Sequence, residues 1–420
     1  MNYDFYQENE TMDDLDDGDE YRELSLKQIK KQQDEHAKFL RQGTWYVAVL
    51  KPESYYFDLY AWAVKHVISS DGWKVISTRE NKLPEQYYSD VSVALDKSES
   101  VLLDGRIFLE KQSVRYLVIL NRYDVIEVAA RTENADLVKD VIQEVETYVN
   151  KHNFYRGKKL EFDGKLSFIK VEYQGWDDIV LDPVIKEQIR QNTIGFIANI
   201  DQWKKYGIPA KRGIILCGDP GTGKTIVCKA LLSEAEGVTI IVTDPVCMAS
   251  PGSIINLFSI ARDLSPAIVI IEDIDMIGID RDILLMSTPP LLALLAVMDG
   301  ITENQNIITV GTTNSIDKLD KTLRERPARF DRIFILERPD YGNRVLILRN
   351  QAKTIPLREE IIEYIGQKTN QYTPAQLKEI MYSMVISRVS DSEGVDNLGM
   401  EDVDRVISQM EVRRKNKIGF

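Results

Sequence analysis

Between residues 43 and 172 the apolar positions come in short runs broken by polar turns. Trp45–Leu50, Trp73–Ser77, Val101–Leu109, Val114–Leu120 and Val125–Ala130 read as strands, rich in β-branched and aromatic side chains. Helical spacing occurs over Tyr55–Ile68 and again over Ala135–Val149, where Leu137, Val138, Val141, Ile142, Val145 and Val149 share a face. Lys159–Lys170 reads as a closing hairpin that turns at Asp163-Gly164. From about 173 to 341 apolar strands alternate with helical stretches, the pattern of a mostly parallel α/β sheet with crossover helices. Its strands are expected near Gly213–Cys217, Val238–Thr243, Ala267–Ile271, Asn306–Gly311 and Arg332–Leu336. Beyond Tyr341 the pattern is helical, around 342–353, 358–367, 373–388 and 400–412.

Composition narrows the class. At 420 residues the chain is long enough for two or three domains with separate cores. A formal net charge of −13 disfavours a general polyanion-binding surface, so no nucleic acid partner is expected. The first 23 or so residues, centred on Asp13–Glu20, are acidic and poor in apolar groups, and read as a disordered tail. Leu24–Leu40 reads as a polar helix. The acidic start is unlike a presequence, and no apolar run approaches the ~20 residues needed to cross a bilayer. Cys217, Cys228 and Cys247 have no metal-ligand spacing and read as small core residues in a reducing, cytoplasmic setting. His36, His66 and His152 are too scattered to suggest zinc.

The most informative stretch is Gly218-Asp219-Pro220-Gly221-Thr222-Gly223-Lys224-Thr225. It fits the phosphate-binding loop G-x-x-x-x-G-K-[ST], preceded by a strand and followed from Ile226 by a helical pattern. Glycines let the backbone wrap a phosphate, and the helix start adds its positive dipole end. Lys224 is placed to reach β- and γ-phosphates and the Thr225 hydroxyl to hold Mg²⁺. A second constellation, Ala267–Asp275, is a buried strand ending in carboxylates. Placed beside the loop strand, it would give one acid to the metal and one to the attacking water, with Glu272 and Asp273 as candidates.

With these motifs on the page, residues 173–415 resemble the AAA family of ATPases. Trp176–Val180 is similar to the family's segment beside the adenine, making Asp178 and Ile179 base-pocket candidates. Tyr206–Gly213 resembles its approach to the loop, and Leu291–Ile301 its helix after the carboxylate strand. Ile307–Asn314 ends in what resembles the polar sensor, Asn314, facing the γ-phosphate. Arg326–Arg332 resembles the arginine-finger segment, in which Arg329 and Arg332 match. In that family these arginines reach the neighbouring subunit's ATP, since a guanidinium suits charge on a transferring phosphoryl group. Read from the residues alone, both arginines can instead pair with local acids such as Asp331.

Four departures from the family pattern stand out. The acids run Glu272 then Asp273, the reverse of the usual order, so by position Glu272 supports the metal and Asp273 is the base. The mitochondrial inner-membrane AAA translocases of a folded iron–sulfur protein share this order and the lead-in Trp203–Pro209, and have a membrane anchor not expected here. The pore-loop stretch Met248–Gly252 has no aromatic. Tyr372–Leu377 and Gln351 replace the family's usual Ser-Gly-Ala turn and histidine. The tail Arg413–Phe420 is basic, and reads as a docking segment or a frayed end.

The resemblance implies an α/β fold: a P-loop parallel sheet with a helical lid, preceded by a small α+β N-terminal domain. The expected divisions are 1–40 (acidic tail and polar helix), 41–172 (accessory domain), 173–341 (nucleotide-binding subdomain) and 342–420 (lid and basic tail). The implied activity is Mg²⁺-dependent ATP hydrolysis by a homo-oligomeric ring, a hexamer, that remodels a protein client recognised by the N-terminal domain. The alternative is a slowly hydrolysing, ATP-gated switch or scaffold.

Overall fold

The computed structural model describes residues 30–79, 88–121, 123–277, 289–300, 305–324, 329–353, 355, 357–390 and 398–415. The acidic tail and the last five residues of the basic tail therefore lie outside the described residues. The chain divides after Phe154 into two compact units.

The first unit is an antiparallel sheet. Strands β1 (Trp45–Leu50), β2 (Lys74–Arg79), β5 (Gly105–Lys111), β6 (Val114–Asn121) and β7 (Val125–Arg131) run in the order β1-β7-β6-β5-β2. The central strand β6 is buried on both faces. Leu117 and Ile119 pack with Leu40 and Phe39 of a helix spanning 30–40. Leu120, on the alternate face, lines one cavity with Ala61 and Val64 of helix Phe57–Ile68. Helix Ala135–His152 packs on that helix and on β1 and β7, burying Val138, Val141, Val145 and Val149. The expected strand Val101–Leu109 is two strands, because the chain turns before Gly105. Its first half, β4 (Lys97–Leu102), forms a separate ribbon with β3 (Tyr88–Ala94). Strand β3 escaped the sequence reading because Ser89, Asp90 and Ser92 leave it little apolar alternation.

The hairpin β8 (Lys159–Phe162) and β9 (Leu166–Phe168) does not close the first unit, as the sequence suggested. It extends the sheet of the second: β8 pairs in parallel with β11 (Thr239–Thr243), Ile240 opposite Lys159. Leu160 and Phe162 are buried there, Thr243 Oγ1 donates to the Phe162 carbonyl at 2.9 Å, and Lys159 Nζ donates to the carbonyl of Ala235. A hairpin pattern fixes its own turn but not the sheet edge it joins.

The full order of this sheet is β14-β10-β13-β12-β11-β8-β9, with only the last pairing antiparallel. Strands β10 (Lys211–Cys217), β12 (Ala267–Ile271), β13 (Ile307–Thr313) and β14 (Arg332–Ile335) fall where the apolar runs place them. Every residue of β12 and β13 is buried, as expected of parallel strands covered on both faces. One arrangement differs from expectation: β12 is not beside β10, because β13 lies between them. The last four helices, Tyr341–Gln351, Glu359–Lys368, Pro374–Ser390 and Met400–Lys415, share a separate core around Leu348, Ile365, Leu377, Ile380 and Val403.

Candidate nucleotide-binding site

The functional side chains gather where β10, β13 and β12 end side by side, the usual ligand position in an open parallel sheet. Strand β10 ends at Cys217 and the next helix starts at Lys224, so Gly218–Gly223 form the connecting loop. A Cβ at Gly218 would lie 2.5 Å from the Leu336 carbonyl oxygen and 2.6 Å from Thr222 Oγ1. Gly223 has φ +107°, a conformation side chains resist. Thr222 donates through both its backbone N–H and its hydroxyl to the Asp219 carbonyl, at 3.2 and 2.8 Å. Lys224 is only 8% exposed. Its Nζ donates to the carbonyls of Gly218 (2.6 Å) and Asp219 (3.2 Å) and to Asn314 Oδ1 (2.8 Å). Burial pushes its pKa down, opposed chiefly by the charge of Asp273.

Asn314 follows β13 and carries the chain of hydrogen bonds onward. Its Nδ2 donates to Asp273 Oδ1 at 3.2 Å, linking Lys224, Asn314 and Asp273 across the sheet. Asp273 takes a left-handed conformation, φ 43° and ψ 48°, rare outside glycine and characteristic of functional sites. Thr312 Oγ1 holds it there by accepting its N–H at 3.0 Å. At the neighbouring Glu272 burial raises the pKa, reinforced by the charges of Asp273 and Asp244 and opposed by Lys229.

A nucleotide's phosphates fit this cradle: its glycines leave no room or conformational allowance for side chains, and a buried ammonium stands at the helix start. Among the described residues no group of three or more acids, histidines or cysteines is arranged to hold a metal unaided. Of the two residues expected to hold Mg²⁺, Thr225 is exposed at the helix start and Glu272 is half-buried just after β12. Of the two expected base-pocket residues, Asp178 closes a short turn, Trp176–Asp178, and pairs with Lys353 at 3.6 Å, while Ile179 is buried. Asp219 and Pro220 are exposed, and Ile226 is 40% exposed.

Two expectations need correction. Arg329 is not available to a neighbour: it is 4% exposed, bonded to both oxygens of Asp299 (2.8 and 2.6 Å) and to the Thr322 carbonyl (2.5 Å). Its partner is Asp299 rather than Asp331, whose carboxylate receives the Gly213 N–H at 3.3 Å. Arg332 lies exposed on the sheet's outer strand β14, with no ion pair among the described residues. In the pore-loop stretch Met248–Gly252, which has no aromatic, Met248 is also fully buried, whereas Val246 just before it is 79% exposed.

The sequence reading also missed three participants. Asp299 fixes Arg329, Arg338 bonds the loop acid Asp219, and Asp275 is buried with an oxygen, Oδ1, that has no hydrogen-bond partner among the described residues. The one available signal was Asp219 itself, because an acid in a phosphate-binding loop calls for a counter-charge.

Loop, strand order and acids define a P-loop nucleotide-binding module. Residues 214–338 match the family described as "ATPase family associated with various cellular activities (AAA)", and this part of the chain is an AAA ATPase module. Similar proteins include "ATP-dependent zinc metalloprotease FtsH" of Slackia heliotrinireducens, 30% identical over 226 residues, covering 51% of this chain and 28% of that protein. "Protein SAV" of Sulfolobus acidocaldarius is 32% identical over 229 residues, covering 52% and 29%. A "Putative cell division cycle ATPase" of Plasmodium falciparum is 28% identical over 254 residues, covering 58% and 20%. The chain thus spans under a third of the length of each of these relatives. No helix among the described residues is long and apolar enough to cross a membrane.

Proposed function

We propose that the protein is a Mg²⁺-dependent ATPase, acting in the cytoplasm as a homo-oligomeric ring, a hexamer, to remodel a protein client bound by the N-terminal unit. The observation that carries the reading is the hydrogen-bonded chain Lys224–Asn314–Asp273 across the ends of three strands, next to a glycine cradle. The AAA match over residues 214–338 supports it. Lys224 presents its ammonium to the β- and γ-phosphates, and the loop N–H groups orient them. Thr225 and Glu272 would hold Mg²⁺, which when bound would supply positive charge to the phosphate oxygens. Asp273, anchored by Asn314 and Thr312, orients the attacking water and takes its proton. Arg332, exposed on the outer strand, reaches into the site of a neighbouring copy.

Specific ATPase activity measured against protein concentration, with Mg²⁺ and no partner, tests this. Activity per subunit rises steeply with concentration if sites are shared between copies. Constant activity per subunit at all concentrations contradicts the shared site. A second reading, an ATP-gated switch that hydrolyses slowly, is favoured by the shorter acid at Asp273 and by the burial of Met248. Nucleotide-dependent assembly with only residual turnover would select it.

A further inference from the structure

An aspartate in the second position of a phosphate-binding loop sets an electrostatic problem. Its carboxylate is about half exposed and stands in the loop that must receive a polyanion. Arg338 meets it from the segment that joins β14 to the lid. Nε donates to Asp219 Oδ2 at 2.7 Å, and Nη1 donates to the Gln371 carbonyl at 2.5 Å. Gln371 lies just before the lid helix Pro374–Ser390 and takes a left-handed conformation, φ 63°. Two residues beyond Asp219 a second fastening joins the same segments: the Ala375 N–H donates to the Gly221 carbonyl at 3.2 Å. The contact is close, since a Cβ at Gly221 would lie 2.8 Å from Ala375 Cβ and 3.0 Å from Thr373 Oγ1. One guanidinium therefore touches the loop acid with one nitrogen and the lid with another, while a neutral bond holds the lid to the next turn of the loop.

We propose that Arg338 is a positioning residue that cancels the charge of Asp219 while bridging it to the lid, a charge latch whose pairing with Asp219 sets the affinity of the loop for phosphate. This rests on the nucleotide-binding reading above. Without Arg338 the Asp219 carboxylate stands uncompensated beside the phosphates. The penalty then grows with the charge of the ligand, which loss of packing alone would not produce. Exposed ion pairs are individually weak, so the effect is modest and specific in sign.

The test is calorimetric binding of ADP and of adenosine to the full chain, as wild type, Arg338→Gln, Asp219→Asn and the double variant. Arg338→Gln is expected to weaken ADP about fivefold while changing adenosine less than about twofold. Adding Asp219→Asn restores ADP to within about twofold of wild type, and Asp219→Asn alone binds ADP at least as tightly as wild type. The latch is overturned if Arg338→Gln leaves ADP binding unchanged, weakens both ligands equally, or is not rescued by Asp219→Asn. A wild-type chain that binds no ADP would instead overturn the nucleotide reading on which the latch stands.

Discussion

Arg329 and Arg332 lie three positions apart and have opposite surroundings, so their alanine variants separate stability from catalysis. Arg329→Ala removes a buried guanidinium together with its bonds to Asp299 and the Thr322 carbonyl. Because the Asp299 side chain is 43% exposed, the loss is smaller than for a fully buried pair, about 1–3 kcal/mol, and urea unfolding of the second unit should register a loss on that scale. Arg332→Ala, at an exposed position, is expected to leave stability and ADP binding intact and to remove most turnover. Unchanged turnover in that variant would remove Arg332 from the site. The contrast was not legible in the sequence. Phosphate chemistry fixes residue types at short spacings, so Gly218–Thr225, Glu272, Asp273 and Asn314 could be picked out by pattern. The partner of Arg329 is 30 residues away and that of Arg338 is 119 away, and no local pattern encodes either distance.

At the level of elements, the seat of the arginine segment is set by a glycine in a neighbouring strand. Gly213, in β10, packs so closely against the Arg329 carbonyl that a Cβ there would overlap it. The Asp331 N–H donates back to the Gly213 carbonyl at 2.8 Å. Gly213→Ala is therefore expected to displace the whole segment and to cost about 1–3 kcal/mol, read as a lower urea midpoint with reduced turnover. A variant of wild-type stability and activity would show that the segment moves aside freely. Continuous apolar runs made β12 and β13 readable in advance, because strands buried on both faces leave an unbroken signature. Strand β3 carried its alternation in only two buried residues, Val91 and Val93, and the β8–β9 hairpin was readable as a hairpin but not as the edge of the second sheet. Its partner β11 lies some 80 residues on, as the bond from Thr243 to Phe162 shows, with |i−j| of 81.

On the scale of the whole molecule, the two units are expected to differ in their response to acid. In the first unit His36 is buried, and its Nε2 lies 3.3 Å from Arg106 Nη1, which also donates to Glu35 at 3.3 Å. Burial, with the Arg106 charge, lowers its pKa from 6.5 to about 4. The unfolded chain takes up this proton near pH 6.5 and the folded chain only near 4. Stability from neutral His36 is complete above 6.5 and is lost as pH falls through 4, by up to about 3 kcal/mol. The pH dependence of the first unit's unfolding should flatten over that window in His36→Gln; an unchanged slope would assign it to other groups.

The central claim, that each site is completed by a neighbouring copy, is tested most directly by mixing two inactive variants. Lys224→Ala removes the ammonium shared by Gly218, Asp219 and Asn314, and is expected to bind no nucleotide while keeping its Arg332. Arg332→Ala keeps the nucleotide site and lacks the arginine. ATPase activity measured on the mixture should exceed that of either variant alone, because an Arg332→Ala site can border a Lys224→Ala subunit that supplies the missing guanidinium. A mixture no more active than its components, from variants shown to assemble together, would contradict a site shared between copies.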